Sequence, residues 1–321
     1  MGKKILLDCD PGLDDALALL LAHADPAVEL VAVTTVGGNV GLSETTRNAL
    51  ELREYLGYPT VPVAAGAGKP LVREAKNASN VHGSSGLGSV VLAPSTLPLS
   101  ELHAVDLIIE MISAAPGSIH LVATGPLTNI ALALEKKPSI ARLVASFTIM
   151  GGSFTRGNAT PAAEFNIYAD PEAAKIVFDA DWQVVMVGLD LTLQAIASRA
   201  VIERFEELGE LANDLIIPLS TFWTDPNDQE WDGQAVHDVC AVAYVTRPDL
   251  FASRPARVDV ETAGTHTAGM TVVDFNSPSP NALVPVKLDV DGFWAYVEYV
   301  YALEAGARAA VRGAAVRSAE S

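Results

Sequence analysis

Short apolar, β-branched runs alternate along this chain with stretches of helical periodicity, and that alternation narrows its possible folds more than any other feature. Strands are expected over Lys4–Asp8, Glu29–Val36, Val61–Ala65, Ser118–Thr124, Ser146–Met150 and Gln183–Leu189. Helices are expected over Asp14–Ala24, Ser43–Leu56, Ala104–Ala114, Leu127–Glu135 and Pro171–Asp179. Strands this uniformly apolar are buried on both faces, as in a mostly parallel sheet covered by helices. "DPEAAKIVFDA" carries a clear start signal, with Asp170 as N-cap and Pro171 at the first helical position. Residues 201–231 read as further helix and 258–290 return to strand patterns, with a turn-rich loop at "SPSPNALVP" (277–285) and a tail, "GARAAVRGAAVRSAES", whose last ten or so residues are expected to fray. With 321 residues, half of them hydrophobic, the chain can bury one large core, and a single α/β domain over 1–321 is the expectation.

The charge balance excludes one class of partner. Lys and Arg total 21 against 39 Asp and Glu, a formal charge of −18. Nucleic acid is therefore not expected, because phosphate binding needs clustered cations. Two cysteines, Cys9 and Cys240, are too few for a disulfide framework and suit a reducing cytoplasm. The apolar run in "MGKKILLDCDPG" is broken by Asp8 too early for a signal peptide, and no segment reaches the ~20 apolar residues of a membrane span. A cytoplasmic protein without membrane contact is expected.

Open parallel sheets bind ligands in the loops beyond the carboxyl ends of their strands. The segments following the expected strands are "DCDPGLDD", "GGN" (37–39), "GPLTN" (125–129), "GGSFTRGNATPAAEFN" (151–166) and Asp190. Glycines and polar or acidic side chains thus converge repeatedly on one sheet edge, which defines one site. In residues 8–15, four carboxylates (Asp8, Asp10, Asp14, Asp15) crowd an otherwise apolar stretch. Helix capping accounts for one or two of them, at about 0.3–1 kcal/mol each. A hard divalent cation, Ca²⁺ or Mg²⁺, accounts for all four, because carboxylates attract around it instead of repelling. No His/Cys cluster has zinc spacing. Two further acidic elements stand out: His237-Asp238 in "AVHDVC", which on its own reads more simply as a buried histidine hydrogen-bonded by its neighbours, and "AEFNIYADPE", where Glu164 and Asn166 alternate as on one face of an extended segment and suit either recognition of sugar hydroxyls or, more simply, a polar surface.

"DCDPGLDDALALLLAH", "AVTTVGGNV", "VHGSSG", "ATGPLTNIALAL", "IMGGSF", "GNATPAAEFNIYADPEAAKIVF", "VVMVGLDLT", "AVHDVCAVAY" and "GMTVVDF", in this order, resemble the nucleoside hydrolases of the inosine–uridine-preferring group, from about Lys3 to Trp294. The resemblance implies a Rossmann-like core with additional C-terminal helices and short strands, a tightly held Ca²⁺, and hydrolysis of the N-glycosidic bond of ribonucleosides. It also implies a homodimer or homotetramer and a role in nucleoside salvage. Carried over position by position, it makes Asp10, Asp15, Asp238 and the main-chain carbonyl of Thr124 the calcium ligands, with Asp8 supporting them from behind. Asp14, Asn39, Glu164 and Asn166 match ribose-binding positions, Asn158 reaches the 5′-hydroxyl, and Met150 packs below the sugar. His82 and His237 match positions near the base. In the implied mechanism, Asp10 is general base to a metal-activated water, and His237 protonates a purine leaving group.

Three positions depart from the family pattern: Ser84 where relatives often have Glu, Pro126 where Gly is frequent, and Val239 where Pro is common. They bear on the geometry around the base and hence on specificity; Pro126 also removes a backbone N–H near the calcium carbonyl. Trp223 and Trp231, in "TFWTDPNDQEWDGQ", fall where the family has a mobile flap and can stack on a nucleobase, although Trp223 follows an apolar helical run and equally suits core packing. Two other readings compete. "DCD" after a strand also suits a haloacid-dehalogenase-type phosphatase, which leaves Asp14-Asp15 and "AEFN" without a purpose. A nucleoside- or sugar-binding protein without turnover has no need of a positioned base.

Overall fold

A computed structural model describes residues 2–222 and 233–319, with side chains as far as residue 312. The first half runs β1 (Lys3–Cys9), α1 (Leu13–Ala24), β2 (Val28–Thr35), α2 (Leu42–Leu56), β3 (Val63–Ala65), α3 (Ser79–His82), α4 (Ala104–Ala114), β4 (Ile119–Ala123), α5 (Thr128–Lys136) and β5 (Ser146–Met150). There follow α6 (Phe165–Ala169), α7 (Pro171–Asp179), β6 (Val184–Val187), α8 (Leu189–Thr192), β7 (Ile196–Ala197), α9 (Arg199–Phe205) and α10 (Ile217–Ser220). The last part is β8 (Gln234–Ala235), α11 (His237–Thr246), β9 (Phe251–Val260), β10 (Thr271–Asp274), β11 (Ala282–Leu288) and α12 (Val290–Ala319).

Nine strands form one sheet in the order β10-β9-β11-β6-β5-β4-β1-β2-β3. The run from β3 to β11 is parallel, and β9 and β10 add an antiparallel edge. Six of these strands are those expected from the sequence, each displaced by three residues or fewer at either end. β1 sits between β2 and β4, so the chain leaves it in one direction first and returns on its other side later. That reversal opens a crevice at the carboxyl ends of β1 and β4, the usual ligand position in such sheets.

Separate hydrophobic cores cover the two faces. α1 is buried from Leu13 to Ala22 without a polar face, so it lies between the sheet and an outer layer that includes α11 and α12. α4, α5 and α7 cover the other face. The expected start of α7 holds: Asp170 Oδ1 accepts from Ala173 N at 3.0 Å, while its Oδ2 takes Leu71 N and Thr128 Oγ1.

The C-terminal third differs from the sequence reading. β9 begins at Phe251, seven residues before the expected return to strand, and the loop from 277 gives way to β11 at Ala282. Pro285 sits inside that strand because the register shifts between Pro285 and Lys287, where no ladder N–H is required of it. The stretch after Val201 is helical only in short pieces, interrupted at Gly209, whose φ of +64° lies in the left-handed region. α11 and α12 are helices that the pattern did not reveal, and α12 carries the backbone to Ala319, through most of the segment expected to fray. Among the described residues no helix is long and apolar enough to cross a membrane.

Candidate active site

Gly12 leaves β1 and caps α1, and its N–H donates to Asp15 Oδ2 at 3.0 Å. The capping explanation for the acidic stretch therefore holds for one carboxylate, but the same oxygen also takes Asn39 Nδ2 at 2.9 Å, while Thr124 Oγ1 holds Oδ1 at 2.8 Å. Asp15 thus joins the ends of β1, β2 and β4. Asp14, Asp15 and Asp238 each place a carboxylate oxygen within 4.8 Å of the other two, and all three are buried. Asp238 arrives from the first turn of α11, which packs on α1.

Asp10 stands beside this trio rather than within it. Its Oδ2 accepts from Asn39 N at 2.7 Å, and its Oδ1 is buried with no hydrogen-bond partner among the described residues. Glycines form the wall around it: a Cβ on Gly38 would collide with Oδ2, and one on Gly125 would come within 2.6 Å of Oδ1. Asp8 is buried, its Oδ1 accepting from Thr34 Oγ1 at 2.6 Å and Asn129 Nδ2 at 2.8 Å.

Burial dominates the electrostatics. It raises Asp8 and Asp15 to about 7, with the Asp14 charge adding to the latter. Asp10 is pushed well above the carboxylate range by burial and then by Asp15, and Asp238 by burial and then by Asp14, Asp15 and Asp10. Lys76 carries the one fixed positive charge among the described residues lining the adjoining cavity, and its Nζ donates to Tyr168 Oη at 3.0 Å. A set of buried carboxylates with no cationic partner among the described residues, and an orphaned oxygen on Asp10, fits a metal cation, and the all-oxygen donors make it a hard one.

The cavity beside these carboxylates measures about 420 Å³, within the usual range for a small-molecule site. Asp14, Asn39, His82, Thr124, Met150, Asn158, Glu164, Asn166, His237 and Asp238 all line it. Every substrate-binding position expected from the sequence is therefore brought to one place. Glu164 and Asn166 do not lie on an extended segment, however. The Glu164 carboxylate caps α6, accepting from Asn166 N (2.8 Å), Ile167 N (3.1 Å) and Gly152 N (2.9 Å), and this capping winds the chain into a helical turn. Burial still raises Glu164 to about 7 against the lowering effect of those N–H groups. Asn166 Nδ2 donates to the Thr124 carbonyl at 2.7 Å and to Met150 O at 3.1 Å, which leaves a second lone pair on the Thr124 oxygen.

The two histidines sit on the wall next to Asp14. Leu13 N donates to His82 Nδ1 at 3.1 Å, and His237 N donates to Asp14 Oδ2 at 3.2 Å. Burial pushes both imidazoles below their ordinary value, against the raising effect of the Asp14 charge. Asp190 does not reach the cavity; it fixes the loop after β5 by accepting from Phe154 N and Thr155 Oγ1. Ser84 is exposed, Val239 is buried in the core and Pro126 packs beside Gly38, so none of these three lines the cavity. Lys76, Asn77, Asn80, Phe165, Tyr168 and Gln234 line it without having been anticipated: they sit on loops or on elements of two to five residues, too short to carry a periodic pattern. Trp223 and Trp231 lie outside the described residues.

Metal-competent carboxylates lie beside a cavity lined by polar side chains, at the switch point of a mostly parallel sheet. Residues 5–295 match the inosine-uridine preferring nucleoside hydrolases, and the chain belongs to that family. It is thus a hydrolase of the N-glycosidic bond of ribonucleosides. The inosine-uridine preferring nucleoside hydrolase of Leishmania major is 48% identical over 92% of this chain and 96% of its own length. The pyrimidine-specific ribonucleoside hydrolase RihA of Salmonella paratyphi B is 44% identical over 91% and 96%. Among solved structures, the purine-preferring ribonucleoside hydrolase from Gardnerella vaginalis superposes with a TM-score of 0.87 at 32% identity, covering 94% of this chain and 99% of that one. The family match also overturns the phosphatase alternative.

Proposed function

We propose that this chain uses Ca²⁺, held by Asp10, Asp15, Asp238 and the Thr124 carbonyl, to cleave ribonucleosides to ribose and free base, with Asp10 as general base. The observation that carries the reading is the unpartnered, buried Oδ1 of Asp10 beside the Asp14–Asp15–Asp238 cluster. A bound divalent cation offsets the mutual repulsion of these carboxylates and makes a nearby water more acidic. Calcium is favoured over magnesium because carboxylate, carbonyl and substrate hydroxyl oxygens together suit its larger and more adaptable shell.

Asp10 Oδ1 has a free lone pair to accept the proton from water as the new C–O bond forms at the anomeric carbon and the C–N bond breaks. Asp14, Asn39, Glu164 and Asn166 hold the ribose hydroxyls, Asn158 the 5′-hydroxyl, and Met150 packs under the ring. Their fixed dipoles and charges stabilise an oxocarbenium-like transition state, by analogy with inverting glycosidases. His82 and His237 flank the base, and His237 donates a proton to a departing purine nitrogen. Relatives named for purine and for pyrimidine preference both occur, so the base panel must span the two. A homodimer or homotetramer in the cytoplasm completes the reading, and the two buried free cysteines suit that reducing compartment.

The test is hydrolysis of five common ribonucleosides and a 2′-deoxy control by metal-stripped and Ca²⁺-restored protein. Activity should vanish on stripping, return with Ca²⁺ and be about a hundredfold or more weaker on the deoxy substrate. Undiminished turnover after verified stripping overturns the calcium assignment. Gly38→Ala should lower kcat/KM by about a hundredfold, because the added methyl displaces the Asp10 carboxylate; steady-state kinetics showing less than a threefold change would mean that the wall yields.

A further inference from the structure

Gln234 lines the cavity, yet it has no part in the chemistry above. Its Oε1 is buried with no hydrogen-bond partner among the described residues. Leaving a buried amide oxygen without a donor costs stability, and a ligand that brings a donor recovers that cost. The backbone beneath this amide is fixed. Gln234 pairs with Ala197, and Ala235 with Ile196, in the two-stranded ribbon of β7 and β8. Val236 N donates to Ala195 O at 3.0 Å. Gly233, with φ of +113°, lets the chain press against the Ala197 carbonyl, which a Cβ there would strike. The ribbon leads into α11, so Gln234 stands three residues ahead of His237 on an element that holds it more precisely than a loop.

Its neighbours in the cavity are engaged, apolar or exposed. Thr192 Oγ1 lies 2.7 Å from His237 Nδ1, and Leu13 N donates to His82 Nδ1 at 3.1 Å. Val81 and Ala235 have no polar side-chain atom, and Asn80 is exposed. Gln234 is left as a half-buried carboxamide, with one donor group and one acceptor side by side. The lactam edge of uracil or hypoxanthine, O=C–N–H, offers the complementary pair. When the C–N bond breaks, its electron pair stays with the base, and a lactam spreads that charge onto its exocyclic oxygen. An N–H donor at that oxygen binds the transition state more tightly than the ground state. The one fixed positive charge among the described lining residues, Lys76, is bonded to Tyr168, so that donor must come from a neutral group.

We propose that Gln234 is a specificity-determining residue that selects lactam bases, its Nε2–H donating to the exocyclic oxygen and its Oε1 accepting from the adjoining ring N–H. The inference rests on the placement of the base between His82 and His237.

The experiment uses the full chain with Ca²⁺ as wild type, Gln234→Met, Gln234→Glu and His82→Ala. Substrates are the lactam nucleosides inosine and uridine, their amino counterparts adenosine and cytidine, and p-nitrophenyl riboside, whose leaving group has no lactam edge. Gln234→Met keeps the length and removes both hydrogen-bonding groups. Its kcat/KM should fall about tenfold or more on lactam nucleosides and less than threefold on p-nitrophenyl riboside, and its lactam-to-amino ratio should fall more than about fivefold. Gln234→Glu sets a carboxylate oxygen against the exocyclic oxygen but still accepts from an amino group, so its ratio should fall further, about twentyfold. Ribose carries no base, and its inhibition constant should stay within about twofold in both variants, whereas a merely structural disturbance would raise it. A lactam-to-amino ratio within fivefold of wild type in either variant, an equal loss on p-nitrophenyl riboside, or weakened ribose binding each overturns the proposal. Failure of the underlying placement looks different: His82→Ala then also leaves the relative rates on the four nucleosides unchanged.

Discussion

Asp10→Asn should lower kcat by about 10²–10⁴-fold at saturating Ca²⁺, the range a general base contributes, while KM for the nucleoside changes only severalfold. Asparagine preserves the volume, and its amide oxygen can still accept from Asn39 N, as Asp10 Oδ2 does at 2.7 Å. The Gly38 and Gly125 walls leave that side chain little freedom to reorient. The other branch then presents N–H groups where Asp10 has a bare, buried oxygen. Geometry is retained and proton affinity is lost, which makes this variant more informative than alanine. Calorimetric Ca²⁺ binding on the same protein separates a weaker metal site from a missing base. A variant that binds Ca²⁺ and keeps kcat within tenfold of wild type would remove Asp10 from the proton transfer.

Stripping the cation should make the protein less stable and reverse its response to pH. Without metal, Asp8, Asp15 and Glu164 are raised to about 7, and Asp10 and Asp238 are pushed well above the ordinary carboxylate range, all because burial disfavours their charged forms. In the unfolded chain the same groups titrate near 4. Between about pH 4 and 7 the folded state therefore binds more protons than the unfolded state. Stability of the stripped protein consequently rises as pH falls from 8 towards 5, and is lost as pH rises through the folded values. Added Ca²⁺ competes with those protons. At a thousand times its Kd it contributes about 4 kcal/mol, a Tm gain on the order of 10 °C at pH 8 that shrinks towards pH 5. Thermal melts across this range decide the matter: a stripped protein more stable at pH 8 than at pH 5, or a Tm that ignores Ca²⁺, would mean that these carboxylates are satisfied without a cation.

What could be read in advance tracked the strength of local signals. The six parallel strands were legible because each is a short apolar run bounded by glycine or an acidic residue, and "DCDPGLDD" announced its site because four carboxylates in an apolar stretch demand an explanation. Asp238 was different: one aspartate in a helix that its own pattern did not disclose, 223 residues after Asp15, was noticeable beside His237 but gained a role only through resemblance to a family. Glu164 was assigned to the site but misjudged in form, since nothing local says that its carboxylate turns back onto three backbone N–H groups. α12 escaped because its alanine-rich second half lacks an apolar stripe. The wall from Lys76 to Val81 escaped because what makes it a wall is the crevice opposite.

The junction of α11 with α1 also sets an order of events during synthesis. Asp14 and Asp15 leave the ribosome near the start of translation, but Asp238 follows more than two hundred residues later, and its helix takes its place through the links from Ala195 to Val236 and from Thr192 to His237. A nascent chain that has already formed β1, α1 and β2 holds uncompensated acids with no means of enclosing an ion. On the proposed assignment, in which Asp238 is a ligand, a product truncated before α11 should fail to hold the cation, which a calcium-binding measurement on such a product would check.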